Sequence, residues 1–253
     1  MYHGASLALI LLVEQCQMQP PIHLSRFDEL FEFLKNLPPR AFPPQGTEGK
    51  VWLNSFSSVL AHPRLSVYLD SPPTRAKAIL AQEFAENSPT SSLARQVNTD
   101  VRVYELAEAF AAGGADEHAA LHALCYGMMT VETGVDTLLL AGEGVLDPKI
   151  FSLVIASRRS DLLSLLLRYR SPAVFACLGA MIAAGFAKIP VLAASGVAHL
   201  AAWALWRLRP EAPGHIALIG HSVETWPGIH ANITDESLAG CVLMATRSWQ
   251  EHS

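Results

Sequence analysis

The sequence predicts an α/β fold of three layers, a mainly parallel doubly wound sheet with helices on both faces. Short apolar runs that end in small or polar residues alternate with segments of helical periodicity. The clearest case is Lys188 to Glu224, where two apolar runs flank an alanine-rich helical pattern. A second sign is Leu138 to Leu140, because consecutive apolar residues are typical of a strand buried on both faces. Alternating strands and helices imply parallel pairing with right-handed crossovers.

The individual elements follow from apolar spacing and from breakers. We expect strands over 51–60, 65–69, 137–141, 190–193 and 216–219. We expect helices over 25–37 with a Ser25 cap, 73–86, 104–110, 116–133, 161–169, 173–186 and 197–207, and a polar loop over 87–98. Prolines and glycines before Gly49 read as a linker, so the expected division is an N-terminal helical segment and linker, 1–48, followed by an α/β domain, 49–253.

Composition narrows the class of partner. The chain has 253 residues, of which 51% are hydrophobic and 16% charged, enough to bury a substantial core. Its net charge is -5, and the 18 Lys and Arg residues are spread along the chain. Nucleic acids and anionic membranes require clustered cations, so we expect neither as a partner and favour a small molecule.

Cysteine usage and the N-terminal residues indicate a cytoplasmic protein. The four cysteines are widely separated and form no C-x-x-C pair, which is typical of a reducing compartment. The apolar run from Ala5 to Val13 is too short to span a bilayer, and no Lys or Arg precedes it. A buried N-terminal helix, or residues upstream of a start at Met18, accounts for it better than a signal peptide.

The segment after the predicted strand 137–141 is the first candidate for a ligand site. Gly142, Glu143 and Gly144 follow that strand directly. Glycines let backbone N–H groups approach a phosphate or sugar, and the Glu143 carboxylate can accept a sugar hydroxyl, pair with a lysine or act as a base. A plain strand-to-loop turn with a solvated glutamate explains the same residues.

Other sequence patterns give weaker evidence for a functional site. His118 and His122 stand four apart on a predicted helix, a spacing that suits two metal ligands, but Ala119 occupies the place of the glutamate in the zinc-protease pattern. A solvated helix face explains these histidines better, and we expect neither a metal nor a cofactor. Ser222 lies in no G-x-S-x-G elbow, which argues against a hydrolase. Trp203 and Trp206 share one helix face, as core or subunit contacts do.

Three segments together carry a family resemblance. These are Gly-Val-Asp-Thr-Leu-Leu-Leu-Ala-Gly-Glu-Gly from Gly134, Ile-Pro-Val-Leu from Ile189, and Gly-His-Ser-Val-Glu from Gly220. In this order, with the intervening helices, the chain resembles the nicotinate-nucleotide:dimethylbenzimidazole phosphoribosyltransferases of cobalamin lower-ligand assembly. The resemblance covers roughly 97–230, about half of the chain.

The resemblance implies transfer of phosphoribose from nicotinate mononucleotide to a benzimidazole nitrogen. It implies a cytoplasmic homodimer whose partners are a nucleotide and an aromatic base. The residues that fall on the family's strand ends are Glu143 and Glu224 as candidate catalytic carboxylates, and Gly142, Gly144, Asp147, Ser195, Gly196, His221 and Ser222 as candidate ligand contacts.

The chain also departs from the family pattern. Val145-Leu146-Asp147-Pro148 replaces the family's Asn-Thr-Thr, and the family's Arg-Leu-Gly-Glu-Gly-Ser-Gly segment, which supplies its general base, is not found. The family's N-terminal Ala-Asp-His-Gly and Lys-Pro-Pro-Gly-Ser-Leu-Gly motifs are not found either, so the expected relative is divergent and shortened. Two alternatives therefore stay open: a catalytically inactive homologue that binds a nucleotide or regulates, and an unrelated α/β enzyme with similar strand ends.

Overall fold

The computed structural model shows one parallel sheet covered by helices. It describes residues 24–44, 49–56, 62–70, 76–77, 84–96, 98–106, 116–143, 149–219 and 229–231. Within these residues the sheet has six strands, all parallel, in the order β2-β1-β3-β4-β5-β6. The strands are β1 Pro63–Leu69, β2 Asp100–Glu105, β3 Thr137–Glu143, β4 Val191–Ala193, β5 Ile216–Ile219 and β6 Ile229–Ala231.

Helices alternate with these strands. They are α1 Phe27–Leu34, α2 Gly49–Asn54, α3 Pro89–Gln96, α4 Glu117–Met129, α5 Lys149–Ala156, α6 Arg159–Arg168, α7 Pro172–Ala187 and α8 Gly196–Leu208, with a 3-10 turn at Pro213–His215. No helix in the described part of the chain is long and apolar enough to cross a membrane.

Both faces of the sheet are buried, which confirms the three-layer prediction. The pleat of β3 sends Leu138 and Leu140 into the larger core and Leu139 and Ala141 into the smaller one. Helices α4, α7 and α8 supply most of the larger core, whereas Trp52 of α2, with Ala76 and Phe84, covers the opposite face. Burial on two sides explains why the central strands read as continuous apolar runs.

Helices α4 and α7 cross in close contact because a glycine stands on each at the crossing. A Cβ on Gly127 would lie 1.9 Å from the carbonyl oxygen of Ala176, and a Cβ on Gly179 would lie 1.9 Å from that of Leu124. Helix α7 is apolar around its whole circumference, because α4, α8 and the sheet surround it. The small residues of α7 therefore set the thickness of this layer.

The strands predicted at 65–69, 137–141, 190–193 and 216–219 are confirmed, as are the helices predicted at 116–133, 161–169, 173–186 and 197–207. The helix predicted at 25–37 is also present but begins later, at Phe27, with Arg26 as its N-cap residue. Ser25 does not cap it. Instead, the Ser25 hydroxyl donates to the Glu29 carboxylate.

Three segments were predicted wrongly. The first residues of the predicted strand 51–60 belong to helix α2, Gly49–Asn54, because a short apolar run does not distinguish a strand from a half-buried helix. The predicted loop 87–98 contains helix α3, which starts at Pro89 after the Ser88 hydroxyl accepts the Ser91 N–H. Tyr104 and Glu105, predicted as helical, end strand β2.

His215 lies fully buried between two backbone carbonyls. Its Nε2 is 2.9 Å from the Met181 oxygen and its Nδ1 is 3.1 Å from the Ala212 oxygen. Burial lowers the pKa of His215 below its usual value, and this effect outweighs the two carbonyls, which raise it; the nearby Arg40 charge lowers it further. The folded state therefore disfavours the imidazolium form.

We predict that Gly127→Ala destabilises the protein by about 1–3 kcal/mol or more, because the new methyl group meets a backbone oxygen that cannot rotate away. The control is Ser152→Ala, which also introduces alanine into a helix but at an exposed position of α5. It is expected to change stability by no more than about 0.5 kcal/mol. Urea denaturation of both variants measures the difference. Equal stability of the two variants would show that the crossing tolerates a side chain.

We also predict that His215 makes stability depend on pH. Its pKa is lower in the folded state than the unfolded value of about 6.5, so the unfolded chain binds more protons, and stability is lost as pH falls below about 6.5. One such group contributes a slope of at most about 1.4 kcal/mol per pH unit. Denaturation of the wild type and His215→Gln from about pH 8 to about pH 5 should show a shallower decline in the variant. Parallel declines would contradict this assignment.

Candidate functional site

The sheet order creates a switch point between β1 and β3. After β1 the chain continues outward to β2, then returns to place β3 on the other side of β1 and proceeds to β6. In open parallel sheets, ligands bind in the crevice outside the carboxyl ends of the strands at such a point. This crevice is the candidate site.

Glu143 lies at the carboxyl end of the strand beside the switch point. It is the last residue of β3, pairs in register with Leu69 at the end of β1, and is only 6% exposed. Following the pleat, its side chain leaves the sheet on the side of the smaller core, with Leu139 and Ala141. A carboxylate at this position is nearly removed from bulk water, which strengthens its interaction with any positive charge or proton donor that enters.

Ser195 joins β3 to helix α8. Its Oγ accepts the Gly142 N–H at 2.8 Å and, as the N-cap, accepts the Ala198 N–H at 3.2 Å. In a continuing parallel ladder the Gly142 N–H would meet a main-chain oxygen of β4, so the Ser195 side chain replaces that acceptor where β4 ends. Ser195 is 8% exposed. Ser195, which was predicted to contact the ligand, therefore positions the end of β3 against the start of α8.

The amino end of α8 provides N–H groups at the same edge. Gly196 and Val197 open this 13-residue helix, and the first N–H groups of a helix have no acceptor within it. Together with the helix dipole they favour an anionic group at the end of β4. The structure thus places Gly142, Glu143, Ser195 and Gly196 at one edge of the sheet.

His199 was not predicted, yet it ties together two strand ends behind the site. Its Nε2 lies 3.0 Å from the Ala193 oxygen of β4 and 3.1 Å from the Ile219 oxygen of β5. Because both neighbours are acceptors, Nε2 must carry the hydrogen and donate to them. A histidine within an otherwise apolar helix, one turn after the Ser195 cap, is the sequence signal that could have indicated this role.

Asp70 is a second carboxylate that sequence reasoning missed. It follows β1 directly, and the Ser171 hydroxyl at the N-cap of α7 donates to it at 2.6 Å. Burial, and secondarily the Asp70 charge, raises the pKa of the Cys177 thiol well above its usual range, so this thiol stays neutral. The signal was present in the sequence, because Asp70 ends a predicted strand in the same way as Glu143.

Five predicted site residues lie outside the described residues: Gly144, Asp147, His221, Ser222 and Glu224. Their participation stays a prediction. His118 and His122 do lie on one helix, α4, but no group of three or more potential metal ligands occurs among the side chains that the structure describes.

Comparison with known proteins finds matches to the fold of this chain but none to its sequence. No family model and no curated protein matches the chain by sequence. Two solved structures match over 88% of this chain and 94% of theirs at 12% identity: CobT from Thermus thermophilus, with a TM-score of 0.53, and nicotinate-nucleotide-dimethylbenzimidazole phosphoribosyltransferase from the same organism, with a TM-score of 0.50.

This chain has the CobT fold. The structural likeness confirms the resemblance drawn from the sequence motifs, and at 12% identity it establishes the fold alone. The location of the candidate site at the carboxyl ends of β3 and β4 rests on the switch point of the sheet.

We predict that Ser195→Ala destabilises the protein by about 2–4 kcal/mol, because it removes a helix cap and leaves the buried Gly142 N–H without its acceptor. Ser195→Thr keeps the hydroxyl and is the matched control. Chemical denaturation compares the two variants. If both lose the same stability, the hydroxyl contacts are not what holds β3 to α8.

Proposed function

We propose that this protein is a divergent phosphoribosyltransferase of the CobT type, acting in cobamide lower-ligand synthesis. In this reaction it transfers phosphoribose from nicotinate mononucleotide to a benzimidazole-type base. The observation that carries the proposal is Glu143, a nearly buried carboxylate at the end of β3 beside the switch point of a CobT-like sheet. The ordered strand-end motifs of the sequence support it independently.

The reaction consists of three changes in bonding between the two substrates. The bond between the anomeric carbon and the nicotinate nitrogen breaks, a bond from that carbon to one benzimidazole nitrogen forms, and a proton leaves the other benzimidazole nitrogen. We assign the phosphate to the N–H groups at the start of α8, from Gly196 onward, where the helix dipole favours an anion. We assign the proton to the Glu143 carboxylate, and Glu224 stays the predicted second carboxylate.

The protein also contributes to the reaction by holding the strand ends around the substrates in fixed positions. Ser195 and His199 hold the ends of β3, β4 and β5 in fixed relation, through the Gly142 N–H and through the Ala193 and Ile219 carbonyls. Two reactants held at a fixed distance react as one molecule, which contributes several orders of magnitude to rate. A rigid edge of the sheet is suited to this role.

We predict that the purified protein forms ribazole phosphate from nicotinate mononucleotide and dimethylbenzimidazole, and that Glu143→Gln lowers the rate by about 100- to 10,000-fold, the usual contribution of a general base. Glu105→Gln is the matched control, since Glu105 also ends a strand but lies exposed at the sheet edge. Chromatography of the product gives the rate.

A thermal-shift measurement with the same two ligands separates the alternatives. A ligand-dependent shift without product favours a catalytically inactive, nucleotide-binding homologue, in line with the sequence departures at Val145 to Pro148. Product formation that Glu143→Gln leaves unchanged contradicts the assignment of the base. Neither product nor shift contradicts both functions.

A further inference from the structure

Helices α5 and α6 form a groove that belongs to neither the sheet nor the crevice. The groove has a volume of about 580 Å³, and its walls are Leu153, Ala156 and Ser157 on the side of α5 and Asp161, Leu165 and Arg168 on the side of α6. Leu153 is 52% exposed, one of two large apolar side chains in the described residues that are this accessible. The groove therefore presents an accessible leucine beside other apolar and polar wall residues.

The surface around the groove carries positive charge in a chain that is acidic overall. The whole sequence has 18 Lys and Arg against 23 Asp and Glu, but residues 149–170 carry five cations and one carboxylate. The cations are Lys149, Arg158, Arg159, Arg168 and Arg170, and the carboxylate is Asp161. All four arginines are exposed. Their positive charge contrasts with the acidic balance of the whole sequence.

The arginines flank the groove rather than fill it. Arg168 forms part of its wall, and Arg158 follows Ser157, another wall residue. A further cation anchors the groove from behind, because Arg207 of α8 donates from Nη2 to the Ser157 carbonyl oxygen at 2.8 Å. Arg159 turns the other way, with its guanidinium 5.7 Å from the centre of the Phe31 ring. The groove wall therefore carries one cation, Arg168, and one carboxylate, Asp161, while Arg158 is an exposed neighbour of the wall residue Ser157.

We propose that this groove binds an acidic amphipathic helix of a partner protein. A helix with apolar residues at i, i+3, i+4 and i+7 buries that stripe in an apolar groove, which here would cover Leu153 and Leu165. Carboxylates beside the stripe would pair with Arg168 and Arg158, and guanidinium groups bind carboxylates in bidentate geometry. Charge complementarity favours an acidic occupant, since residues 149–170 carry five cations against one carboxylate.

A concave groove favours a helix over a lipid surface. Peripheral membrane binding relies on apolar side chains that protrude from a basic face, whereas Leu153 and Leu165 line a depression. Four of the five cations are arginines, the cationic residue enriched at protein interfaces.

The test uses the full chain and a fluorescein-labelled peptide of about 18 residues, with leucines at helical i, i+3, i+4 and i+7 positions and glutamates elsewhere. Fluorescence anisotropy should show saturable binding that weakens with added salt. Leu153→Ser and Arg168→Glu should each weaken binding by at least about tenfold. The matched controls are Val51→Ser, an apolar residue that is 59% exposed on α2, and Lys35→Glu, an exposed cation after α1.

Four outcomes would overturn the proposal: no binding of the acidic peptide, equal binding of a peptide with lysines in place of the glutamates, equal loss of binding in the control variants, or binding insensitive to Leu153→Ser and Arg168→Glu. Two companion measurements identify another occupant. Flotation with phosphatidylserine vesicles that depends on Arg168, without peptide binding, would indicate a membrane surface instead. Light scattering that shows a dimer lost in Leu153→Ser would indicate that a second copy covers the groove.

Discussion

The close crossing of α4 and α7 is the constraint on which the rest of the larger core depends. Gly127 and Gly179 bring the two backbones to a separation that leaves no room for a Cβ at either position. Once α7 lies that close to α4, its other sides meet the sheet and α8, so that a helix apolar on every side finds a partner on every side. Interiors packed at this density do not absorb an added methyl group without a shift of backbone.

The placement of α7 also sets one side of the candidate site. The N-cap residue of α7, Ser171, donates to Asp70 at the end of β1, so the helix layer and the switch point are joined by a hydrogen bond of 2.6 Å. Ser195 makes the corresponding connection from α8 to β3. Helices α7 and α8 therefore both begin with a serine whose hydroxyl also contacts a residue at the carboxyl end of a strand.

The central part of the fold could be predicted from the sequence because strands that are buried on both faces consist of consecutive apolar residues. Leu138 to Leu140 are buried on both faces, and no other element reads as a continuous apolar run followed by Gly-Glu. Strand β2 was missed because it is an edge strand, in which Asp100, Arg102 and Glu105 break the apolar run. Short elements such as α2 gave no period to count, since six residues cover less than two helical turns.

The sequence likewise indicated some residues of the candidate site but not the contacts of others. Glu143 and Ser195 could be placed near strand ends because the sequence predicted those strands well. The positions of Asp70 and His199 also carried a sequence signal, but their partners could not be predicted, because 101 residues separate Asp70 from Ser171 and 20 separate His199 from Ile219. Periodicity reports which face of an element is buried, but it carries no information about which strand end a given side chain will reach.

The two ends of the sheet are built differently: ion pairs hold the amino end, and the first N–H groups of a helix lie at the carboxyl end. At the amino end, the buried Arg64 donates to Asp100 at 2.9 Å, to the Thr130 carbonyl oxygen at 3.1 Å and to Glu132 at 3.0 Å. Each of these partners satisfies part of the buried guanidinium, although the Asp100 and Glu132 side chains are themselves half exposed. This network stabilises the amino end of the sheet, and a cavity of about 590 Å³ lies beside it, with Arg64 and Asp100 in its lining. At the carboxyl end, β3 ends in the nearly buried Glu143, and the first N–H groups of α8, from Gly196 onward, have no acceptor within the helix and favour an anionic group.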